Sequence, residues 1–506
     1  MMKFIDEILN NTTMYRLVLY VLIALLGYAV VISFMGLLPF SPYALLFSTA
    51  FLLFIGWASN TVFASVFETP PNVESFYISA LILALIISPI RSLSDLSFLF
   101  WAAVLTMASK FILALHKKHI FNPVALAVFV TSVTIGQSAS WWVGTAIMLP
   151  VVVIGGLLVV RKIRRADLFG SFTVAALITI GIANLLHGVS LVTSIQRIFV
   201  NSPLVFFATI MLTEPLTTPP TKGLRIWYGA IVGFLFSPQI HLSNLYTTPE
   251  SALLIGNLFS YAVSPKEKLL LMLKEKIQLT PNIYDFVFAI NKPAHYEPGQ
   301  YMEWTVGHAS PDDRGNRRYF TLASSPTENT MRIGVRFNNP SSSFKRSLLN
   351  LTSDTKILAG QLAGDFTLPR NANQKLVFIA GGIGVTPYRS MVKYLLDSNQ
   401  KRSIVLLYTN KTASEIVYAD VFKSAESALG MKTVYTLTDV TQIPPDWQGR
   451  RGRIDAAMIQ TEIPDYRERM FYLSGPNAFV TAGEKMLRDL GVPGDHIKTD
   501  FFPGFA

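Results

Sequence analysis

Cysteine is absent from all 506 residues. Its absence excludes disulfides, thiolate zinc sites and all-cysteine iron–sulfur clusters. Redox chemistry, if the chain performs any, must run through an organic cofactor or a haem. Histidine is also scarce, and only His116, His119, His187 and His241 fall in the first 265 residues. A membrane haem needs histidine pairs stacked across two helices, whereas His116 and His119 share a loop with Lys117 and Lys118. Haem is therefore not expected. Charge is scarce in the same half: residues 1–265 carry 13 Lys+Arg and 8 Asp+Glu, against 30 and 24 in residues 266–506. Such a division implies two different solvents.

The apolar half contains the runs Leu17 to Leu38, Tyr43 to Phe63, Phe98 to Leu115, Trp142 to Val160 and Leu168 to Leu186, each near the roughly 20 residues that cross a bilayer. The first run is too long for a signal peptide and no small-residue cleavage pattern follows it, so it is expected to stay as a membrane helix. The net charge of +11 could suggest a nucleic-acid partner. Its basic residues in this half, however, form short clusters beside apolar runs, at His116 to His119, Arg161 to Arg165 and Lys222 to Arg225, with Lys266 to Lys268 just beyond. They serve as topology signals, and no nucleic acid is expected. Placing them in the cytoplasm takes about ten crossings and puts both termini on that side.

An internal repeat is visible at an offset of 149. Thr69-Pro70-Pro71 recurs as Thr218-Pro219-Pro220, Ser88-Pro89 as Ser237-Pro238, and the pairing gives 9 identities in 28 positions. Proline interrupts apolar stretches in both copies, so broken helices are expected in each. Paired breaks of this kind are where membrane proteins place ions or cofactors. Ten crossings make the repeats parallel; a re-entrant half-helix at Asn122 to Gln137 would make them inverted. Glu214, beside one break, is either functional or facing water at a helix end. Asp167 is expected as an interfacial counter-charge to Arg164 and Arg165.

From Leu269 the texture changes to short alternating strands, Leu269 to Leu279 and Ile283 to Ile290, with turns at Pro281-Asn282 and Pro298-Gly299. After Leu376 it becomes strand, glycine turn and helix: Leu376 to Ala380, Gly381 to Pro387, Tyr388 to Leu396, then the strand Ile404 to Tyr408. That order predicts a parallel α/β domain. Within Arg317-Arg318-Tyr319-Phe320-Thr321-Leu322-Ala323-Ser324-Ser325-Pro326 a strand places Arg318 and Phe320 on one face and Thr321 on the other. A cation, an aromatic and a hydroxyl so arranged are the side-chain types that a flavin dinucleotide needs. Ser341-Ser342-Ser343-Phe344-Lys345 and Gly364-Asp365-Phe366 follow. The turn Gly381-Gly382-Ile383-Gly384-Val385-Thr386-Pro387 lets a pyrophosphate approach the backbone at a helix N-terminus.

With these motifs in this order, the C-terminal half resembles the ferredoxin–NAD(P) reductase superfamily. The resemblance implies that Arg318, Tyr319, Phe320, Thr321 and Ser324 bind FAD, with Ser342, Ser343 and Lys345 toward its phosphates. It implies that Gly381, Gly382, Gly384, Thr386 and Pro387, with Gly475 and Pro476 of a second motif Ser474-Gly475-Pro476-Asn477, bind NADH or NADPH. Thr321 and Ser474 become the catalytic candidates, Ser474 standing where the family often has cysteine. Phe501 and Phe502 would lay an aromatic over the flavin. Thr409-Asn410-Lys411-Thr412 holds a single cation, which favours NADH over NADPH.

His119 to Leu126 and Met211 to Thr221 resemble the flavin-binding membrane proteins of Rnf-type electron-transport complexes and of sodium-translocating NADH:quinone reductases. The Ser-Gly-Ala-Thr motif that carries covalent FMN there is missing, and Gly170-Ser171-Phe172-Thr173 does not replace it, so only a non-covalent FMN or a quinone is expected. The expected whole is a polytopic α-helical membrane domain with an internal repeat (residues 1–265), fused to a β-barrel FAD domain (266–370) and a parallel α/β nucleotide-binding domain (371–506). No metal site is expected. The resemblance places the chain in a bacterial-type cytoplasmic membrane, with its reductase half in the cytoplasm. Its implied partners are membrane lipid, a quinone or other redox acceptor, and further electron-transport subunits. An ion pump coupled to redox, and a soluble-type reductase merely anchored by the first half, are the alternatives.

Overall fold

The computed structural model of the protein describes residues 12–67, 73–115, 118–242, 245–264, 269–290, 295–307 and 316–500, with Leu9 and Asp312 besides. The chain divides at Lys268 into two compact units.

In the N-terminal unit, several helices begin where a side chain caps them. Ser41 caps Pro42–Val66, Asn122 caps Pro123–Thr134 by accepting from the amides of Val124 and Ala125, and Thr248 caps Pro249–Val263. All three have proline in the first turn, where its missing N–H costs nothing. Among the described residues, four helices are long and apolar enough to cross a membrane: Met14–Phe34, Pro42–Val66, Leu93–Ile112 and Ala166–Leu186. The pair Leu191–Val200 and Leu204–Met211, bent by 59°, makes a fifth if counted as one span. This falls short of the ten crossings expected. Val73–Ile86, Pro123–Thr134, Leu149–Ile163, Lys222–Leu235 and Pro249–Val263 have only 12 to 15 residues, about 18–23 Å of helix against a hydrocarbon core of about 30 Å. The run from Trp142 shows the cause. Trp141 has φ +52°, a 3₁₀ turn follows at Trp142–Gly144, and the helix starts only at Leu149. Pro123–Thr134 has the half-helix length under which the repeats would be inverted.

The offset of 149 carries Val73–Ile86 onto Lys222–Leu235, two helices of 14 residues. It also carries the 3₁₀ turn Leu93–Asp95 onto residues 242–244, of which Leu242, in a two-residue strand, is described. Thr69 to Pro71 lies outside the described residues. Asp167 pairs with Arg225 at 2.8 Å, which brings the basic corners at Arg161 to Arg165 and Lys222 to Arg225 to one end of the unit. Close approach comes from glycine: a Cβ on Gly233 would stand 2.4 Å from Phe172 O.

The C-terminal unit holds two six-stranded sheets. The first is antiparallel, with β1 Leu269–Thr280, β2 Ile283–Ala289, β3 Tyr301–Thr305, β4 Arg317–Thr321, β5 Thr330–Arg336 and β6 Lys356–Ala363 in the order β4-β3-β6-β1-β2-β5. Its edges meet where Ala323 N donates to Arg332 O at 2.8 Å and Arg332 N to Ser324 Oγ at 3.1 Å, so the expected barrel is an antiparallel sheet curled nearly to closure. Trp304, Phe286, Phe288 and Phe344 fill it. The second is parallel, with β7 Leu376–Gly381, β8 Ile404–Asn410, β9 Lys432–Leu437, β10 Arg450–Arg451, β11 Met470–Ser474 and β12 Ile497–Thr499 in the order β10-β9-β8-β7-β11-β12. Every residue of β7 and β8 is buried, as strands covered on both faces must be. Strand addition reverses direction between β7 and β11, the crevice where open α/β sheets bind ligands.

Buried polar contacts join the two sheets. Arg389 donates to Ala323 O at 2.7 Å and to both carboxylate oxygens of Glu328, and Tyr418 reaches Asp285 at 3.3 Å. Gly334 allows this approach, since a Cβ there would stand 2.6 Å from the Tyr418 hydroxyl.

Candidate active site

Strand β4 presents its side chains as the alternation demands. Arg318 and Phe320 both lie against Phe344, the guanidinium 5.2 Å from the ring centre and the two phenyl rings 5.9 Å apart. Tyr319 faces the other way, edge-on to Tyr301, and is not brought beside Arg318. Ser324 is fully buried: its hydroxyl accepts from Tyr296 and from the Arg332 amide, and its carbonyl accepts from Ser390. It braces the end of the strand.

The serine stretch opens the helix Ser343–Leu349, with Ser342 as its cap. Asp312 sits at this point. Its Oδ2 accepts from the Ser343 amide at 2.9 Å, its own amide donates to Ser343 Oγ at 2.8 Å, and its Oδ1 is 3.5 Å from Arg318 Nη2. A carboxylate held by a guanidinium and an amide marks this as a seat for an anion. The donor set fits a pyrophosphate. Lys345 donates to Arg336 O at 2.8 Å.

At the crevice the two glycine turns touch. A Cβ on Gly384 would lie 2.5 Å from Gly475 N and from Ser474 O, and one on Gly381 2.9 Å from the Phe479 ring. Gly382 has φ +55°, a left-handed conformation that glycine adopts freely. Thr386 and Pro387 start the helix Thr386–Asp397, and Pro476 immediately precedes Asn477–Asp489. The Oγ1 of Thr409, at the end of β8, and Nε of Arg336 are buried without hydrogen-bond partners. Buried polar atoms of this kind are normally satisfied, and a dinucleotide laid across these turns would supply the missing groups.

Thr321 and Ser474, the two catalytic candidates, come from different sheets and converge on one carboxyl. Asp500 Oδ2 accepts from Ser474 Oγ at 3.0 Å and from Thr321 Oγ1 at 3.4 Å. Its amide donates to Leu473 O at 2.9 Å, extending the β11–β12 ladder by one step. Burial pushes the Asp500 carboxyl up to about 7, against the lowering effect of the two hydroxyls. Sequence reasoning passed over Asp500 because it attended to the aromatics that follow; Phe501 and Phe502 lie outside the described residues. Arg336 and Asp312 were missed as well. A buried acid whose partners lie 26 and 179 positions away leaves no local pattern, although an aspartate ending the last strand beside Ser474 was a positional clue.

Residues 378–485 match the family of oxidoreductase NAD-binding domains. Among curated proteins the chain is similar to flavohemoprotein A of Dictyostelium discoideum, 27% identical over 45% of this chain and 58% of that protein. It is also similar to the stachydrine N-demethylase reductase subunit of Rhizobium meliloti, 29% identical over 42% of this chain and 60% of that one. Among solved structures, the FAD/NAD-binding domain of nitric oxide dioxygenase from Vibrio cholerae aligns with a TM-score of 0.40 at 23% identity, over 46% of this chain and 98% of that domain. The chain thus spans less than two thirds of the curated relatives it matches first. The matched segment lies wholly within the C-terminal unit, whose parallel sheet is thus similar to the NAD-binding domains of oxidoreductases.

Proposed function

We propose that the chain is a membrane-bound flavoprotein reductase that oxidises NADH or NADPH through FAD and passes electrons to a membrane acceptor, a quinone or a membrane flavin. The observation that carries this reading is the convergence of Thr321 and Ser474 on Asp500, beside the touching glycine turns of the parallel sheet. FAD bound on the antiparallel sheet would supply the two-electron acceptor for the substrate's hydride. Arg318 and the Ser343 amide would hold its pyrophosphate in the seat that Asp312 now fills. The turns at Gly381 to Gly384 and at Gly475 bind the substrate's own pyrophosphate and fix its nicotinamide at the crevice, since hydride transfer depends chiefly on holding two rings at short range. Asp500, titrating near neutrality, holds a proton at Oδ2 and exchanges it through the hydroxyls of Ser474 and Thr321.

The membrane placement rests on where apolar surface is exposed. Of the large exposed hydrophobic side chains among the described residues, all but Leu270, Met272 and Val440 belong to the N-terminal unit, among them Phe34, Phe54, Trp57, Trp101, Ile178 and Leu186. Water does not tolerate so extensive an apolar surface on a monomer. The basic corners joined by Asp167 and Arg225 favour a cytoplasmic side for that end, and the C-terminal unit is placed in the cytoplasm with its substrate. The likeness of the membrane half to the flavin-binding membrane proteins of Rnf-type complexes and sodium-translocating NADH:quinone reductases belongs to the same proposal, with FMN, quinone or partner subunits as its companions. Flavin extraction from the purified full-length protein tests the reading: FAD should be found, bleached on adding NADH or NADPH. Purified protein without flavin would sink it.

A second reading, redox-driven ion transport, is favoured by a buried polar network between the broken helices. Glu214 Oε2 accepts from Asn122 Nδ2 at 2.8 Å, the Asn122 amide donates to Asn257 Oδ1 at 2.8 Å, and Asn257 Nδ2 donates to the Tyr228 hydroxyl at 3.0 Å. Polar chains of this kind at membrane depth are costly unless used. Turnover in sealed vesicles that builds no gradient and ignores ionophores would count against it.

A further inference from the structure

We propose that Arg389 is a positioning residue, which sets the distance over which hydride passes by clamping the end of the flavin strand to the helix that opens at the glycine turn; the inference rests on the reductase reading above. Arg389 and Ser390 stand one turn into the helix Thr386–Asp397. Their partners are two successive carbonyls just past β4: Arg389 Nη1 donates to Ala323 O at 2.7 Å, and Ser390 Oγ donates to Ser324 O at 2.5 Å. Ala323 and Ser324 follow Thr321 by two and three residues, and Thr321 shares the Asp500 carboxyl with Ser474. The clamp thus closes within a few residues of the flavin strand on one side and of the nucleotide turn on the other.

Other side chains brace the clamp. Arg389 donates from Nη1 to Glu328 Oε2 at 2.6 Å and from Nη2 to Oε1 at 3.0 Å, and Glu328 Oε2 also accepts from the Ser325 amide at 2.7 Å. The guanidinium lies 5.6 Å from the centre of the Tyr418 ring, whose hydroxyl reaches Asp285, and Asp285 pairs with Arg332 at 3.2 Å. Tyr418 holds φ +58°, a strained conformation for a bulky residue. Arg389 and Glu328 are only 6% and 13% exposed, so both have given up most of their hydration. A pair buried in this way is often no more stabilising than apolar side chains of the same volume, whereas its directed, two-pronged bonds admit one geometry. Apolar contact is non-directional and would hold the sheets together while letting them slide. Sliding matters here, since a misplacement of about 1 Å can cost ~100-fold in rate.

The test is rapid-mixing reduction of the bound FAD of full-length protein by NADH, or by NADPH if that reduces the wild type, which separates the limiting rate from nucleotide affinity. Arg389→Met combined with Glu328→Leu removes both charges at once and strands neither partner. This double variant should keep its FAD and its unfolding temperature, bind nucleotide within about twofold of wild type, and reduce flavin roughly 10- to 100-fold more slowly at saturation. Arg389→Lys keeps the charge but loses the fork, and its limiting rate should fall between the two. With nucleotide deuterated at the transferring C4 position, the slowed reduction should show an isotope effect at least as large as that of wild type, because transfer itself is what slows. A double variant or an Arg389→Lys protein with the wild-type limiting rate, or a slowed reduction without an isotope effect, overturns the clamp. Should the double variant lose its FAD, Arg389→Lys decides alone. A wild type whose bound flavin neither nucleotide reduces overturns the reductase reading itself.

Discussion

Asp500 is the residue on which the two sheets agree, and its burial sets the sign of what pH should do. Its carboxyl stands at about 7, far above an ordinary aspartate, because losing water penalises the ionised form more than two hydroxyl donors stabilise it. Between the ordinary aspartate range and about pH 7 the folded protein therefore holds a proton that the unfolded chain has released. Stability falls as pH rises through that window and is level above it. Asp500→Asn should remove this fall, read as the temperature of flavin release across the same pH range. It should also slow nucleotide-driven flavin reduction by roughly 10- to 100-fold, at the lower end of general acid–base contributions, and erase an inflection near neutrality. A variant with the wild-type pH profile would show that Asp500 is only a strut. Asp312 makes a different forecast. It competes for the anion seat formed by Arg318 and Ser343, so Asp312→Asn should tighten FAD by about three- to tenfold, the scale of one partly exposed ion pair. Flavin retention during gel filtration measures this, and weaker retention would mean that Asp312 builds the seat.

At the scale of elements, the two glycine turns make the sharpest forecast. A Cβ on Gly384 would meet backbone atoms of Ser474 and Gly475 at 2.5 Å, and backbone cannot swing aside as a side chain does. Gly384→Ala should cost about 1–3 kcal/mol of stability and weaken nucleotide binding while FAD stays bound. Thermal unfolding together with nucleotide titration checks it; wild-type affinity in this variant would mean that the turns do not form the dinucleotide seat. The turn was legible in the sequence because the whole of Leu376 to Ala380 is apolar and ends in glycine, and a strand buried on both faces has no other composition. The alternation on Arg318 to Thr321 was legible for the same reason, since period two leaves little choice of face. Four apolar runs of the first half coincide with long helices, but the run from Trp142 to Val160 yields a helix only from Leu149. Hydropathy registers composition over a window, whereas proline in a first turn and a left-handed Trp141 decide where a helix starts. Asp500 meets Thr321 across 179 positions, and a pairing at that distance is produced by sheet order, which periodicity does not specify.

The whole molecule consists of two units with separate cores: one of buried leucine, alanine and phenylalanine between helices, the other of aromatic and aliphatic residues within and beside two sheets. A unit with its own core is expected to fold by itself. The proposed reductive chemistry uses residues between Arg318 and Asp500, whereas among the described residues nearly all the large exposed apolar side chains precede Leu269. Residues 269–506 expressed alone should therefore bind FAD and pass electrons from nicotinamide to an artificial dye at a rate within about threefold of full length, because each residue that touches the reacting groups is retained. Reduction of a lipid-soluble quinone should behave differently. Full-length protein in vesicles should reduce it, and the fragment, with or without vesicles, should be slower by at least about tenfold, as expected when acceptor and donor are no longer held together. Fragment and full-length protein reducing the quinone equally well would assign the first 268 residues to anchoring alone. A fragment that fails even with the dye while retaining FAD would place part of the hydride-transfer machinery in the N-terminal unit.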